Sequence, residues 1–305
     1  MVVRVDRIVR FYLPPKIIAQ VEGEGNRFFS AAKSGFEAAG MAVELCEDSE
    51  DARFESVHLD GYALFHFGDP FHGRAIDARP AYVGPFWKME AETYRADFRH
   101  TGMEFRPERL KPGPAEAFFA KWQPRVCGDG GADGTGTVLV ALQGKLTRRR
   151  AGQSMSPIQM IETVLEHDPD REVLAKLHPK ESYAAAEKRA LERLAEHPRL
   201  RIVEGDLEPY LAGCDYVVAM NSSVVLKGLF FEKPAILFAD CEFHHICQSV
   251  PRDGDVAGAF RKVMAERPAF EKYLFWYLQR NCINVNWQSA GARVVEHCRE
   301  LGWDI

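Results

Sequence analysis

From residue 138 onward, short apolar runs alternate with amphipathic segments of helical period, and this alternation constrains the fold more than any other feature. Strands are expected at 138–142, 172–177, 200–203, 215–220 and 235–238, with helices at 156–167, 182–197, 208–213, 224–231 and 256–266. The first helix opens with Ser156 as N-cap and Pro157 at the first helical position, and it sets Ile158, Ile161, Val164 and Leu165 on one face. Strands separated by helices of this length read as βαβ units, hence a parallel sheet with right-handed crossovers. Helical segments at 270–280 and 289–301 follow. The first carries Tyr273, Phe275, Trp276 and Tyr277, which predicts a helix docked on both domains.

The first half repeats the alternation less clearly. A strand is expected at 16–21 and a helix at 26–39, with Phe28, Phe29, Ala32 and Phe36 at helical spacing and Gly40 as its stop. Further strands are expected at 41–46 and 62–67, the second running into His66-Phe67-Gly68-Asp69-Pro70. Pro107, Pro112, Pro114 and Pro124 predict little regular structure before residues 128–136, where five of nine residues are glycine, the composition of a linker. The expected division is a smaller α/β domain over 1–127, the linker over 128–136, a second α/β domain over 137–268 and C-terminal helices over 269–305.

A chain of 305 residues has room for two such domains. Its net charge of −5 argues against general nucleic-acid binding, which needs a basic face. There is no apolar run of membrane-spanning length, and residues 1–7 lack a signal peptide's apolar core, so a cytoplasmic protein is expected. Peripheral association with the inner membrane stays open. Seven scattered cysteines suit reduced thiols better than a disulfide framework. Cys241, His244, His245 and Cys247 are close in sequence, but structural zinc normally needs a second knuckle, and none is visible. Asp168-Pro-Asp170 and Asp253-Gly-Asp255 have the letters of a metal-binding Asp-x-Asp but the surroundings of turns, so no metal is assigned.

In an open α/β sheet the ligand crevice lies at the carboxyl ends of the strands. Three expected strands end in polar groups: Gln143 with Lys145 and Arg148–Arg150, Lys176 with His178-Pro179, and Asn221-Ser222-Ser223. Ser222 and Ser223 would also begin a helix, whose free N–H groups favour phosphate. Together these residues predict a site for the phosphate of an activated sugar nucleotide, with the cations offsetting charge on the leaving group.

The segment 138–143, the string Val173-Leu-Ala-Lys-Leu-His178-Pro179, and residues 217–223 running on to Lys233-Pro234 resemble the capsule polysaccharide biosynthesis family. That family includes bacterial β-Kdo transferases and is similar to bacterial GT-B sialyltransferases. The resemblance covers roughly residues 138–240, and the His-Pro and Ser-Ser pairs carry most of it. It implies a GT-B-like fold: two Rossmann-like domains facing a central cleft, bridged by C-terminal helices, with the acceptor on the first domain and the nucleotide on the second. It implies that His178, Pro179, Ser222 and Ser223 hold the phosphate of a CMP-sugar donor, with no cofactor or essential metal. The reaction it implies is transfer of an acidic sugar to a saccharide or lipid-linked saccharide acceptor, with inversion.

A carboxylate in the first domain should then deprotonate the acceptor hydroxyl. Asp69, after an apolar strand, is the first candidate, followed by Glu90 and Asp77, with Glu22 and Glu24 beyond them. The family's acidic base motif is not matched in this half. Two other readings therefore stay open: a UDP- or NDP-sugar transferase or epimerase of the same architecture, and a non-catalytic polysaccharide assembly or binding protein.

Overall fold

The computed structural model describes residues 7–23, 25–128, 134–265 and 267–305. Most of the glycine-rich stretch at 129–133, together with Glu24 and Glu266, lies outside the described residues. The chain packs as two compact units. One runs to Met103 and adds Trp276–Ile305; the other is Glu104–Phe275.

The first unit holds β1 (Ile8–Leu13), β2 (Ala42–Glu47), β3 (Tyr62–His66), β4 (Ala75–Pro80), β5 (Phe86–Glu90) and β12 (Ile283–Asn284). Their order is β12-β5-β4-β3-β1-β2. β1 to β4 are parallel, whereas β5 runs antiparallel to β4 and β12 antiparallel to β5. The central β1 buries Val9, Phe11 and Leu13 against Phe28, Phe29 and Phe36 of the helix Arg27–Ala38. That helix lies against the helix Ala290–Glu300 so closely that a Cβ on Gly35 would fall inside the backbone of Gly291, which fixes glycine at both positions.

The expected strand at 16–21 is instead the helix Pro15–Glu22. Pro15 at its first position is pre-set for a helix, and Ile17, Ile18 and Val21 follow helical spacing. The strand lies one segment earlier, at β1. β4 and β5 were not expected as strands, because they alternate charged and apolar residues and read as a polar loop.

The second unit holds β6 (Thr137–Ala141), β7 (Glu172–Lys176), β8 (Leu200–Val203), β9 (Tyr216–Ala219), β10 (Ala235–Leu237) and β11 (Gln248–Ser249). All its pairings are parallel, in the order β11-β10-β9-β6-β7-β8. This is the doubly wound 3-2-1-4-5-6 order, whose switch point falls between β6 and β9. Ser156 caps the helix Pro157–His167 and forms a reciprocal capping box with Gln159.

The division by packing does not coincide with the division by composition. The proline-bearing stretch expected to be irregular is the helix Pro112–Cys127, in which Pro112 and Pro114 fall in the first turn, where a missing N–H costs nothing. This helix belongs to the second unit: Phe119 stacks on Phe230, and Phe118 packs edge-on to Phe275. The segment expected to bridge the domains is divided within its helical course, with Phe270–Leu274 in the second unit and Trp276 onward in the first. Among the described residues no helix is long and apolar enough to cross a membrane.

Candidate functional site

Register builds the site. Ala141, at the end of β6, pairs with both Lys176 of β7 and Ala219 of β9, so the three strands finish in one row. Chain segments far apart in sequence therefore leave the sheet side by side. At this edge lies a cavity of about 390 Å³, walled by Lys176, His178, Pro179, Asp206 and Ser222, with Leu142 and Val224 among its apolar lining. Of the expected binding residues, the structure brings Lys176, His178, Pro179 and Ser222 into this one cavity.

His178 is set by its neighbours. Its backbone N–H donates to the Tyr183 hydroxyl at 2.8 Å, and its Nδ1 accepts from the Lys180 N–H at 3.2 Å. With Nδ1 accepting, the neutral ring carries its proton on Nε2, a donor suited to an anionic oxygen. Burial pushes the Tyr183 hydroxyl up from its ordinary pKa, so it stays protonated. Glu181 sits against Gly144, where any Cβ would meet its carboxylate, so the loops after β6 and β7 are in contact.

The remaining expected residues are placed differently. Gln143 accepts a long bond from Arg150, and Lys145 is exposed with a left-handed backbone; neither lines the cavity. In the same run Arg149 donates to the Gln153 carbonyl. Asn221 donates to the Asp240 carbonyl, tying together the turns after β9 and β10 instead of facing the cavity. The Ser-Ser pair divides its work. Ser222 is buried and its hydroxyl accepts from the Val224 N–H at 3.3 Å, whereas Ser223 is exposed and its side chain makes no capping bond. Of the two serines expected at the start of the helix Val224–Phe230, Ser222 makes the side-chain bond to a backbone N–H there and Ser223 does not.

Two features of the cavity escaped the sequence reading. Lys176 does not point freely into it: its ammonium donates to the Gly205 carbonyl and lies 5.5 Å from the Tyr210 ring. Tyr210 in turn donates to the Glu204 carbonyl at 2.8 Å. The loop after β8 is thus clamped from two sides, and it presents Asp206, whose carboxylate has no hydrogen bond or ion pair among the described residues. Only the ordering of strands in space, with β8 beside β7, brings Asp206 to this wall.

In the first unit, Asp69 is exposed in the loop after β3. Glu90 is 5 % exposed and turned inward; it accepts from the Arg99 N–H at 2.9 Å and lies 3.7 Å from His100 Nδ1. Those surroundings suit a structural carboxylate, not a base that must reach a substrate. Asp77 is also buried. It accepts from the Gly68 N–H at 2.8 Å and pairs with Arg79, and burial pushes its carboxyl up from the ordinary range.

The two Asp-x-Asp sequences serve the fold. Asp168 accepts from the Arg171 guanidinium and the Tyr216 hydroxyl, and Asp255 caps the helix Val256–Val263. In the cysteine–histidine stretch, His244 bonds to the Cys241 carbonyl and stacks on His245, and burial drives the Cys247 thiol far above its usual pKa. Among the described residues no three metal-ligating side chains are grouped.

No protein-family model and no curated protein sequence matches the chain. Solved structures do. A KpsC β-Kdo 2,7 transferase from Thermosulfurimonas dismutans superposes with a TM-score of 0.53 at 12% identity, covering 95% of this chain and 99% of that one. A β-Kdo 2,4 transferase KpsC from the same organism gives 0.47 at 12% identity over 87% and 88%. The UDP-GlcNAc 2-epimerase of Methanocaldococcus jannaschii, solved with UDP-GlcNAc and UDP, gives 0.37 at 12% identity over 96% and 99%. At this identity the likeness to the first is one of fold. The chain has the expected GT-B-like α/β architecture of two Rossmann-like sheets.

Proposed function

We propose that this protein is a glycosyltransferase of cell-surface polysaccharide synthesis, passing an acidic sugar from a CMP donor to a saccharide or lipid-linked saccharide acceptor. The observation that carries this reading is the convergence of His178 and Ser222, from two separate strand ends, on one cavity of nucleotide-compatible size. In the proposed complex the Nε2–H of His178 and the hydroxyl of Ser222 donate to the donor phosphate. Asp206 accepts from the ribose hydroxyls, the role a carboxylate at this edge plays in doubly wound sheets. Lys176 acts through the loop that carries Asp206.

The acceptor hydroxyl attacks the anomeric carbon while the bond to the phosphate oxygen breaks and its electron pair leaves with CMP. The acceptor proton passes to Asp69, which we favour over Glu90 because Asp69 alone is open to solvent. Phosphate charge is met by His178 and Ser222, so we propose transfer that persists in a chelator. The place of action we propose is the cytoplasmic face of the inner membrane.

Thermal-shift measurements with CMP, UDP, GDP and TDP test the donor site. CMP should raise the melting temperature most, and His178→Ala should abolish that shift while leaving the unliganded melting point nearly unchanged. A shift by UDP alone, with turnover of a UDP-sugar and no acceptor, would replace this reading by an epimerase.

A further inference from the structure

Four non-glycine residues among those described adopt a left-handed backbone: Phe67 (φ +54°), Tyr82 (φ +67°), Lys145 (φ +66°) and Glu232 (φ +56°). For a bulky aromatic residue this conformation is strained and rare, and such strain collects where a binding site imposes it. Phe67 directly follows β3, and Tyr82 lies just beyond β4, its parallel neighbour, so both stand at the carboxyl edge of the first unit's sheet. Both rings nevertheless keep surface open to solvent: Phe67 is 61 % exposed, and Tyr82, which packs on the buried Lys88 and lies 5.5 Å from the Arg95 guanidinium, is 38 % exposed.

The two rings are held in relation to one another. The Arg79 guanidinium lies 5.9 Å from the Phe67 ring centre, and the Lys88 ammonium 4.6 Å from that of Tyr82. Arg79 and Lys88 are directly opposed across β4 and β5, so their side chains share one face and the rings they support stand along the same edge. Arg95 also donates to the Tyr82 hydroxyl. The backbone behind Phe67 is pinned by Asp77, which accepts from the Gly68 N–H, while a Cβ on Gly68 would strike Arg53 and Phe65.

We propose that Phe67 and Tyr82 form a stacking platform for the pyranose rings of a saccharide. Sugar rings offer C–H faces to the negative face of an aromatic ring, and their hydroxyls need charged partners around the rim. Here Arg79, Arg95 and Asp69 supply that rim. With Asp69 two residues beyond Phe67, a sugar on the platform is the acceptor of the proposed transfer. Only that last assignment rests on the transferase reading; saccharide binding itself does not.

Saturation-transfer difference NMR on the full chain, with 3′-sialyllactose as an acidic probe and maltotriose as a neutral one, tests the platform. Transfer to ring C–H protons of at least one probe is expected. It should fall to background in Phe67→Gly and in Tyr82→Gly and persist in Phe67→Tyr and Tyr82→Phe. Glycine accepts the left-handed backbone, so the melting temperatures of both glycine variants should hold or rise. Failure of both probes to receive transfer, or full transfer in either glycine variant, overturns the proposal. The CMP-induced thermal shift is read on the same samples. Its absence alongside intact saccharide transfer sinks the donor reading and leaves the platform standing.

Discussion

The two sheets handle polar residues in opposite ways. In the second unit every strand is parallel, and the central ones are buried on both faces; β6 and β9 are buried along their whole length. Lys176, at the end of β7, and His178 and Ser222, just past the ends of β7 and β9, line a cavity. In the first unit the antiparallel pair β4–β5 carries Asp77, Arg79, Lys88 and Glu90 on one face, and Asp77, Lys88 and Glu90 are buried. Polarity in a fully parallel sheet therefore points to a ligand edge, while in a mixed sheet it can be internal architecture. At the carboxyl edge of the first sheet stand instead two exposed aromatic rings and one exposed aspartate.

The sharpest way to break this contrast is to remove one group at each edge. His178→Ala should lower transfer roughly 10²–10³-fold, the scale of one lost donor to developing charge, and should also abolish CMP binding. Asp69→Asn should cost about 10²–10⁴-fold in rate with the CMP-induced shift intact. Steady-state CMP release reads both variants, and an Asp69→Asn rate near wild type would reduce that residue to a turn former.

Next in size is a stability comparison of two aspartates. Asp77→Ala strands the partly buried Arg79 and the Gly68 N–H, and should cost about 2–4 kcal/mol in a denaturant melt. Asp206→Ala should stay within about 0.5 kcal/mol while weakening CMP binding. Equal losses would mean that the division into architectural and ligand-edge charge is mistaken.

Acid response should also separate the units. Burial lowers the pKa of His72 and His297, both in the first unit, below the ordinary 6.5. The unfolded chain then binds more protons just below that pH, so the first unit loses stability as pH falls from 6.5 toward the depressed values. Asp77, with its raised pKa, acts in the opposite sense: its ionisation costs stability as pH rises, so the term recovers in the acid range. Hydrogen exchange corrected for intrinsic rate should show protection dropping first in the helix Ala290–Glu300, which carries His297, ahead of β6 and β9. Uniform loss across both units would contradict this.

The smallest effect divides the serine pair. Ser222→Ala should cost about 1 kcal/mol through a lost cap and a buried hydroxyl, whereas Ser223→Ala should stay within about 0.5 kcal/mol. Matching losses on thermal unfolding would mean that the two serines contribute equally to the helix start.

Sequence alone was enough for the parallel sheet of the second unit, for the Ser156 cap, and for the Lys-x-His-Pro and Ser-Ser strand ends. These depend on local period and on which short runs are uniformly apolar, properties that neighbouring residues determine among themselves. It was not enough for β4 and β5, whose alternating charges resemble a loop until cross-strand partners are known. Nor could it show that Glu90 faces inward, that Asn221 reaches Asp240, or that Asp206 meets His178 across a cavity. Those outcomes follow from strand order and register, which bring together groups distant along the chain, and only the packed structure fixes which carboxylate is buried and which meets water.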